Sequence, residues 1–101
     1  MFKDIIVFDW NEGNKDKNVV KHNVSNSECE EIFFNKPIIV SNDAGHSENE
    51  SRYYALGRTN ENKNLFIAYT IRENKIRIIS ARPQSKKERL NYEKAKKNTR
   101  I

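Results

Sequence analysis

Three strand-like segments follow one another in the second half of the chain with hardly any sequence between them. They are Arg52–Arg58, Leu65–Arg72 and Lys75–Arg82, separated by Thr59–Asn64 and by the pair Glu73-Asn74. Parallel neighbours need a crossover of a dozen or more residues, so connections this short force antiparallel pairing and a β-meander. Alternation then sorts the side chains. Leu65, Ile67, Tyr69 and Ile71 share one face, and adjacent Tyr53 and Tyr54 point to opposite sides, one to pack and one free to stack on a base. In the last strand Ile76, Ile78, Ser80 and Arg82 face one way and Lys75, Arg77, Ile79 and Ala81 the other. On that regular parity Arg77 and Arg82 cannot share a face. Pro83 ends the strand.

The first half reads as shorter elements. Ile5–Trp10 is β-branched and aromatic, as a strand requires. Asn11 can cap a polar helix through about His22, whose few apolar residues, chiefly Val19 and Val20, leave it on the surface. Asn23 suits the left-handed position after a helix, with Val24 as its hydrophobic contact. Ser25-Asn26-Ser27-Glu28 is a capping box, and Cys29, Ile32 and Phe33 fall on one face of the helix it opens. Cys29 therefore reads as a small core residue. Pro37 stops that helix ahead of a short strand, Ile38-Ile39-Val40, and a polar loop spans Ser41–Ser51. Ser85-Lys86-Lys87-Glu88 is a second capping box, starting a basic helix near Lys86. Its apolar content is thin, so the part beyond Tyr92 is expected to fray unless bound. At 101 residues the chain supports one core. The expected fold is α+β: a single domain over residues 1–101, with two N-terminal helices and a basic C-terminal helix around a meander sheet.

Composition narrows function. Apolar residues make up 36% of the chain and no apolar run approaches the roughly 18 residues of a membrane span. One cysteine excludes an internal disulfide and cannot alone build a thiolate metal site. No metal, phosphate-loop or cofactor motif is present, so no cofactor is expected, and the setting expected is cytoplasmic. The net charge of +5 conceals a division. Residues 1–50 carry −5 and residues 51–101 carry +10, of which +5 lies in residues 86–101. Such a basic half suits a polyanion, usually nucleic acid.

Arginine carries the more specific signal. Arg52, Arg58, Arg72, Arg77, Arg82 and Arg89 lie in or beside the strands and at the start of the last helix. A planar guanidinium grips phosphate bidentately and stays charged when partly desolvated. Arg82 adjoins a helix N-terminus, where free N–H groups favour an anion, and is preferred over Arg77 as a phosphate ligand. An ordinary salt bridge is the competing role for both. His46 lies in the polar loop with Glu48 and Glu50, a group able to transfer protons near neutral pH, although loop histidines are commonly just solvated. His22 suits a helix C-terminus. Tyr92, one turn after Arg89, could flank a phosphate or dock its helix.

Taken in order, these segments resemble a known family. Phe8-Asp9-Trp10, Asn18 with Lys21-His22, Val24-Ser25, Glu50-Ser51-Arg52, Gly57-Arg58, and above all Ile76–Arg82 followed by Glu88-Arg89 and Tyr92 are similar to BrnT-like toxins of bacterial type II toxin–antitoxin systems. Two positions depart: Asn23 stands where Gly is usual and Asn11 where an acidic residue is usual. The resemblance implies a RelE-like ribonuclease fold, an RNA substrate and a cognate BrnA-like antitoxin, with operator DNA bound only through the antitoxin. The expected activity is metal-independent RNA cleavage. Arg82 and Arg72 are expected to bind and stabilise the scissile phosphate, Arg52 to position it, and His46 to act as acid or base with Glu50 as partner or substitute. Arg77, Lys86, Lys87, Arg89 and Tyr92 complete the expected RNA contacts. A non-catalytic nucleic-acid-binding or protein-interaction module is the alternative.

Overall fold

A computed structural model of the chain describes residues 6–43 and 50–98. Its elements run α1 (Lys17–His22), α2 (Asn26–Glu31), β1 (Ile39–Asn42), β2 (Arg52–Arg58), β3 (Asn64–Arg72), β4 (Lys75–Pro83) and α3 (Lys86–Asn98). The four strands form one antiparallel sheet in sequence order. The α+β meander is therefore as expected, and compatible with a RelE-like arrangement. Glu73 and Asn74 both adopt positive φ, the requirement of a two-residue hairpin turn of the I′ type.

One face of the sheet holds the core. Ala55, Leu65, Ile67, Tyr69, Ile78 and Ala81 meet Val24, Cys29 and Ile32 from the helical side, with Phe33 and Tyr53 packed against them. Ile32 is fully buried, worth about 1.5–3 kcal/mol for a side chain of its size. A Cβ on Gly57 would stand 2.9 Å from the Ile32 Cβ, so only glycine lets α2 come this close. Ile71 shares this parity but is 51% exposed, because β3 runs past the helices that cover the rest. The Ser25 capping box forms in both directions, with Glu28 N–H donating to Ser25 Oγ and Ser25 N–H to Glu28 Oε1. Burial pushes the Cys29 thiol up to about 12, which fits a core residue and no nucleophile.

Several expectations are corrected. Residues 6–10 form no strand: Val7 and Asp9 flank a single parallel bridge between Phe8 and Ile76, and Ile5 lies outside the described residues. The helix expected from Asn11 begins only at Lys17, because Asn11–Asn14 forms turns held by side chains. β1 is shifted, Ile39–Asn42 rather than Ile38–Val40, which shortens the loop after it. The regular parity of β4 also fails. Tyr69 pairs with Ile78 but Ala68 with Ser80, leaving Ile79 as the extra residue of a β-bulge. Ile76, Ile78 and Ala81 therefore face the core, while Arg77, Ser80 and Arg82 take the other face.

The outer edge of β4 is closed by side chains as well as backbone. Asp9 N–H donates to Ile76 O at 2.8 Å and Ile76 N–H to Val7 O at 2.9 Å. Further along, Asn14 Nδ2 donates to Ile78 O (3.2 Å) and Asp9 O (2.9 Å), and Ala81 N–H donates to Asn18 Oδ1 at 3.0 Å. Both asparagines are buried. The polar helix α1 is thus fastened by Asn18, while Val20 stays 86% exposed. Replacing Asn18 by Ala strands the buried Ala81 N–H and should lower unfolding free energy by about 1–3 kcal/mol. Urea denaturation checks this, and an unchanged midpoint and slope would contradict the role given to Asn18.

Candidate functional site

The sheet face opposite the core carries the cations and two accessible rings. By register it presents Arg52, Tyr54 and Leu56 from β2, Phe66, Ala68, Thr70 and Arg72 from β3, and Arg77, Ser80 and Arg82 from β4. Tyr53 and Tyr54 divide as the alternation required. Tyr53 stacks on Tyr69 at 5.4 Å on the core side, and Tyr54 lies 5.0 Å from Phe66 on this one.

At one end of the face Arg72 makes a two-pronged contact with Glu50, Nη2 to Oε1 at 3.0 Å and Nε to Oε2 at 3.2 Å. Hydrogen bonds from Arg72 hold the Glu50 carboxyl below its ordinary range. Arg52 stands beside this pair at the start of β2, opposite Thr70 of β3. The chain between β1 and β2 returns to the same end, and His46 belongs to the part of it outside the described residues. Sequence reasoning missed Asp43, buried at the end of β1. A hydrogen bond to Asp43 pushes the Tyr54 phenol up from its ordinary value and fixes the ring. An acidic residue directly after a short strand was the available signal.

At the other end Arg82 reaches Glu88, Nη1 to Oε1 at 2.9 Å and Nη2 to Oε2 at 3.0 Å, and its guanidinium lies 4.0 Å over the Phe66 ring. Glu88 also accepts from Ser85 N–H at 2.8 Å, so one carboxylate both caps α3 and orients Arg82. Lys86, Lys87 and Arg89 are exposed along the first turns of α3.

Three expected contacts stand elsewhere. Arg72 and Arg82 do not converge: Arg82 lies opposite Phe66, six residues along β3 from Arg72, about 20 Å at some 3.4 Å per residue. Each is turned toward its own carboxylate, so one phosphate cannot take both. Arg77 shares the face by parity yet is only 16% exposed, ion-paired to Asp9 at 3.5 Å and donating to Asn11 Oδ1 at 3.2 Å. Tyr92 is fully buried and its hydroxyl donates to Pro37 O at 2.6 Å, so it docks α3 and cannot touch RNA.

The Glu88 pair gives a pH signature. Arg82 holds the folded carboxyl below its ordinary value, so its contribution is present above the unfolded pKa and lost as pH falls through the folded one. The stability gap between the parent chain and Glu88→Gln, followed by thermal melts, should therefore be widest near neutrality and shrink as pH falls below the ordinary glutamate range. A gap that widened on acidification would contradict the pairing.

Among the described residues no helix is long and apolar enough to cross a membrane, and no three or more metal-ligating side chains cluster. No curated protein matches this chain. The sequence model of the family described as "Ribonuclease toxin, BrnT, of type II toxin-antitoxin system" matches residues 10–88, a span that runs from Trp10 through both ends of the basic face to Glu88. The chain belongs to this family of ribonuclease toxins, and as a type II toxin it implies a cognate antitoxin as partner.

Proposed function

We propose that the chain is a metal-independent endoribonuclease that works on the open sheet face, inhibits translation, and is neutralised by a BrnA-like antitoxin with which it binds operator DNA. What supports the reading is the placement of arginines at both ends of a rigid sheet face, with aromatic rings between them. RNA brings its own nucleophile. The 2′-oxygen attacks the adjacent phosphorus, a base takes its proton, the P–O5′ bond breaks, and an acid protonates the leaving 5′-oxygen. A 2′,3′-cyclic phosphate and a 5′-hydroxyl result.

Proton transfer needs donor and acceptor within about 3 Å, which favours the end that carries Glu50 as a candidate base. There Arg72 and Arg52 stabilise the extra charge of the phosphorane. A phosphate arriving on the Arg72 fork competes with Glu50, freeing that carboxylate to act as base or to orient His46. Arg82, with Lys86, Lys87 and Arg89, holds a second stretch of the RNA backbone. Arg82 thus becomes an anchor, and the scissile phosphate falls to Arg72 and Arg52.

Purified protein freed of antitoxin should cut RNA in excess EDTA and leave 2′,3′-cyclic ends. Cleavage that depended on added divalent metal would overturn the chemistry, and RNA retarded but intact would favour the non-catalytic module. Arg72→Ala should lower the rate at saturating RNA by about 10²-fold or more. Arg82→Ala should instead raise KM with kcat nearly unchanged. The reverse pattern would move the reacting phosphate to Arg82.

A further inference from the structure

Between α3 and the open face runs a groove of about 430 Å³, within the roughly 300–1,000 Å³ typical of small-molecule sites. Its walls are Ile39, Leu56 and the rings of Tyr54 and Phe66, and its polar groups are Ser41, Glu88 and Asn91. We infer that this groove is a nucleobase subsite, taking a base that bears an exocyclic amino group; the inference rests on the RNA reading above. Four observations carry it. Tyr54 is a fixed aromatic wall, its hydroxyl tied to Asp43, and single-stranded bases stack on such rings. The Asn91 amide offers two donors and an acceptor, and Glu88, already accepting from Arg82 on both oxygens and from Ser85 N–H on Oε1, keeps acceptor capacity on Oε2, a set matched to an amino-bearing base edge. Arg82 stands at the rim over Phe66, placed for a phosphate. Asn91 also borders a surface depression lined by Lys87, Leu90, Glu93, Lys94 and Lys97, where three lysines outweigh one carboxylate, so net positive charge continues outside the groove. The groove lies at the Arg82 end of the face, beside Phe66, so the base it holds belongs to the stretch of RNA anchored there, a few nucleotides from the cut.

Nucleoside 3′-monophosphates titrated into ¹⁵N-labelled full-length protein test this directly. AMP, CMP and GMP should shift the amide resonances of Ser41, Leu56 and Asn91, with UMP about fivefold weaker. Ser41→Trp should fill the groove and abolish the shifts. Asn91→Leu, at an exposed helix position that leaves folding intact, should erase the difference between bases. Cleavage of one long RNA by the same proteins, with every cut mapped, should show that Asn91→Leu loses base preference. Nucleotides that leave these amides unmoved would overturn the subsite, as would shifts produced only by the antitoxin. Unaltered cutting by Ser41→Trp would overturn it while leaving the ribonuclease reading in place. Nucleotide binding in a parent protein that cuts nothing would support the subsite and count against the chemistry alone.

Discussion

The extra residue at Ile79 governs how this sheet can be used. Without it, strict alternation along β4 would send Ser80 and Arg82 to the face of Ile76 and Ile78, burying a guanidinium against Val24 and Ile32. Burying an unpaired charge costs far more than one side chain's hydrophobic burial returns. The bulge resets the alternation after Ile78, so Ala81 closes the core while Arg82 emerges beside Phe66. One strand thereby builds the interior with its first half and its second half supplies both core and binding face.

A bulged edge strand needs its backbone satisfied from outside, and residues 7–18 do this. The parallel bridge at Phe8 covers the start of β4, and Asn14 and Asn18 take the groups on either side of Ile79. Trp10 donates to Glu30 at 2.7 Å, tying the same segment to α2. The cations themselves are pre-set by carboxylates: Glu50 for Arg72, Glu88 for Arg82, Asp9 for Arg77. Such pairs align a guanidinium fork at the cost of competing with phosphate, so an RNA must displace a carboxylate to engage Arg72 or Arg82. On the proposed mechanism that competition is useful at Glu50, because displacement releases a base beside the reacting phosphate.

What the sequence disclosed was what local rules control. Both capping boxes, the left-handed Asn23, the Cys29–Ile32 face and the antiparallel meander each depend on a few neighbouring residues, and each is present. The bulge left no trace because Ile78 and Ile79 are identical and neither glycine nor proline marks the place. The turns at Asn11–Asn14 were misread as helix because Asn14 looks like a surface residue until a strand more than sixty positions away claims it. Arginine as the residue type of the site was legible, as was the split of Tyr53 from Tyr54. Which arginines lie together was not, since that depends on strand register and on which carboxylate turns each side chain. Tyr92 shows the same limit: one turn after Arg89 it could serve either role, and Pro37 decides.

The proposed mechanism requires RNA to lie across the open face between the Arg72 and Arg82 ends. Photo-crosslinking a 2′-O-methyl RNA, which binds without a nucleophile to react, to the antitoxin-free protein tests that placement most directly. Adducts read by mass spectrometry should fall on Tyr54 and Phe66 and on peptides bearing Arg72, Arg82 and the start of α3. Adducts concentrated instead on Trp10 or Phe34, on the helical side, would contradict it.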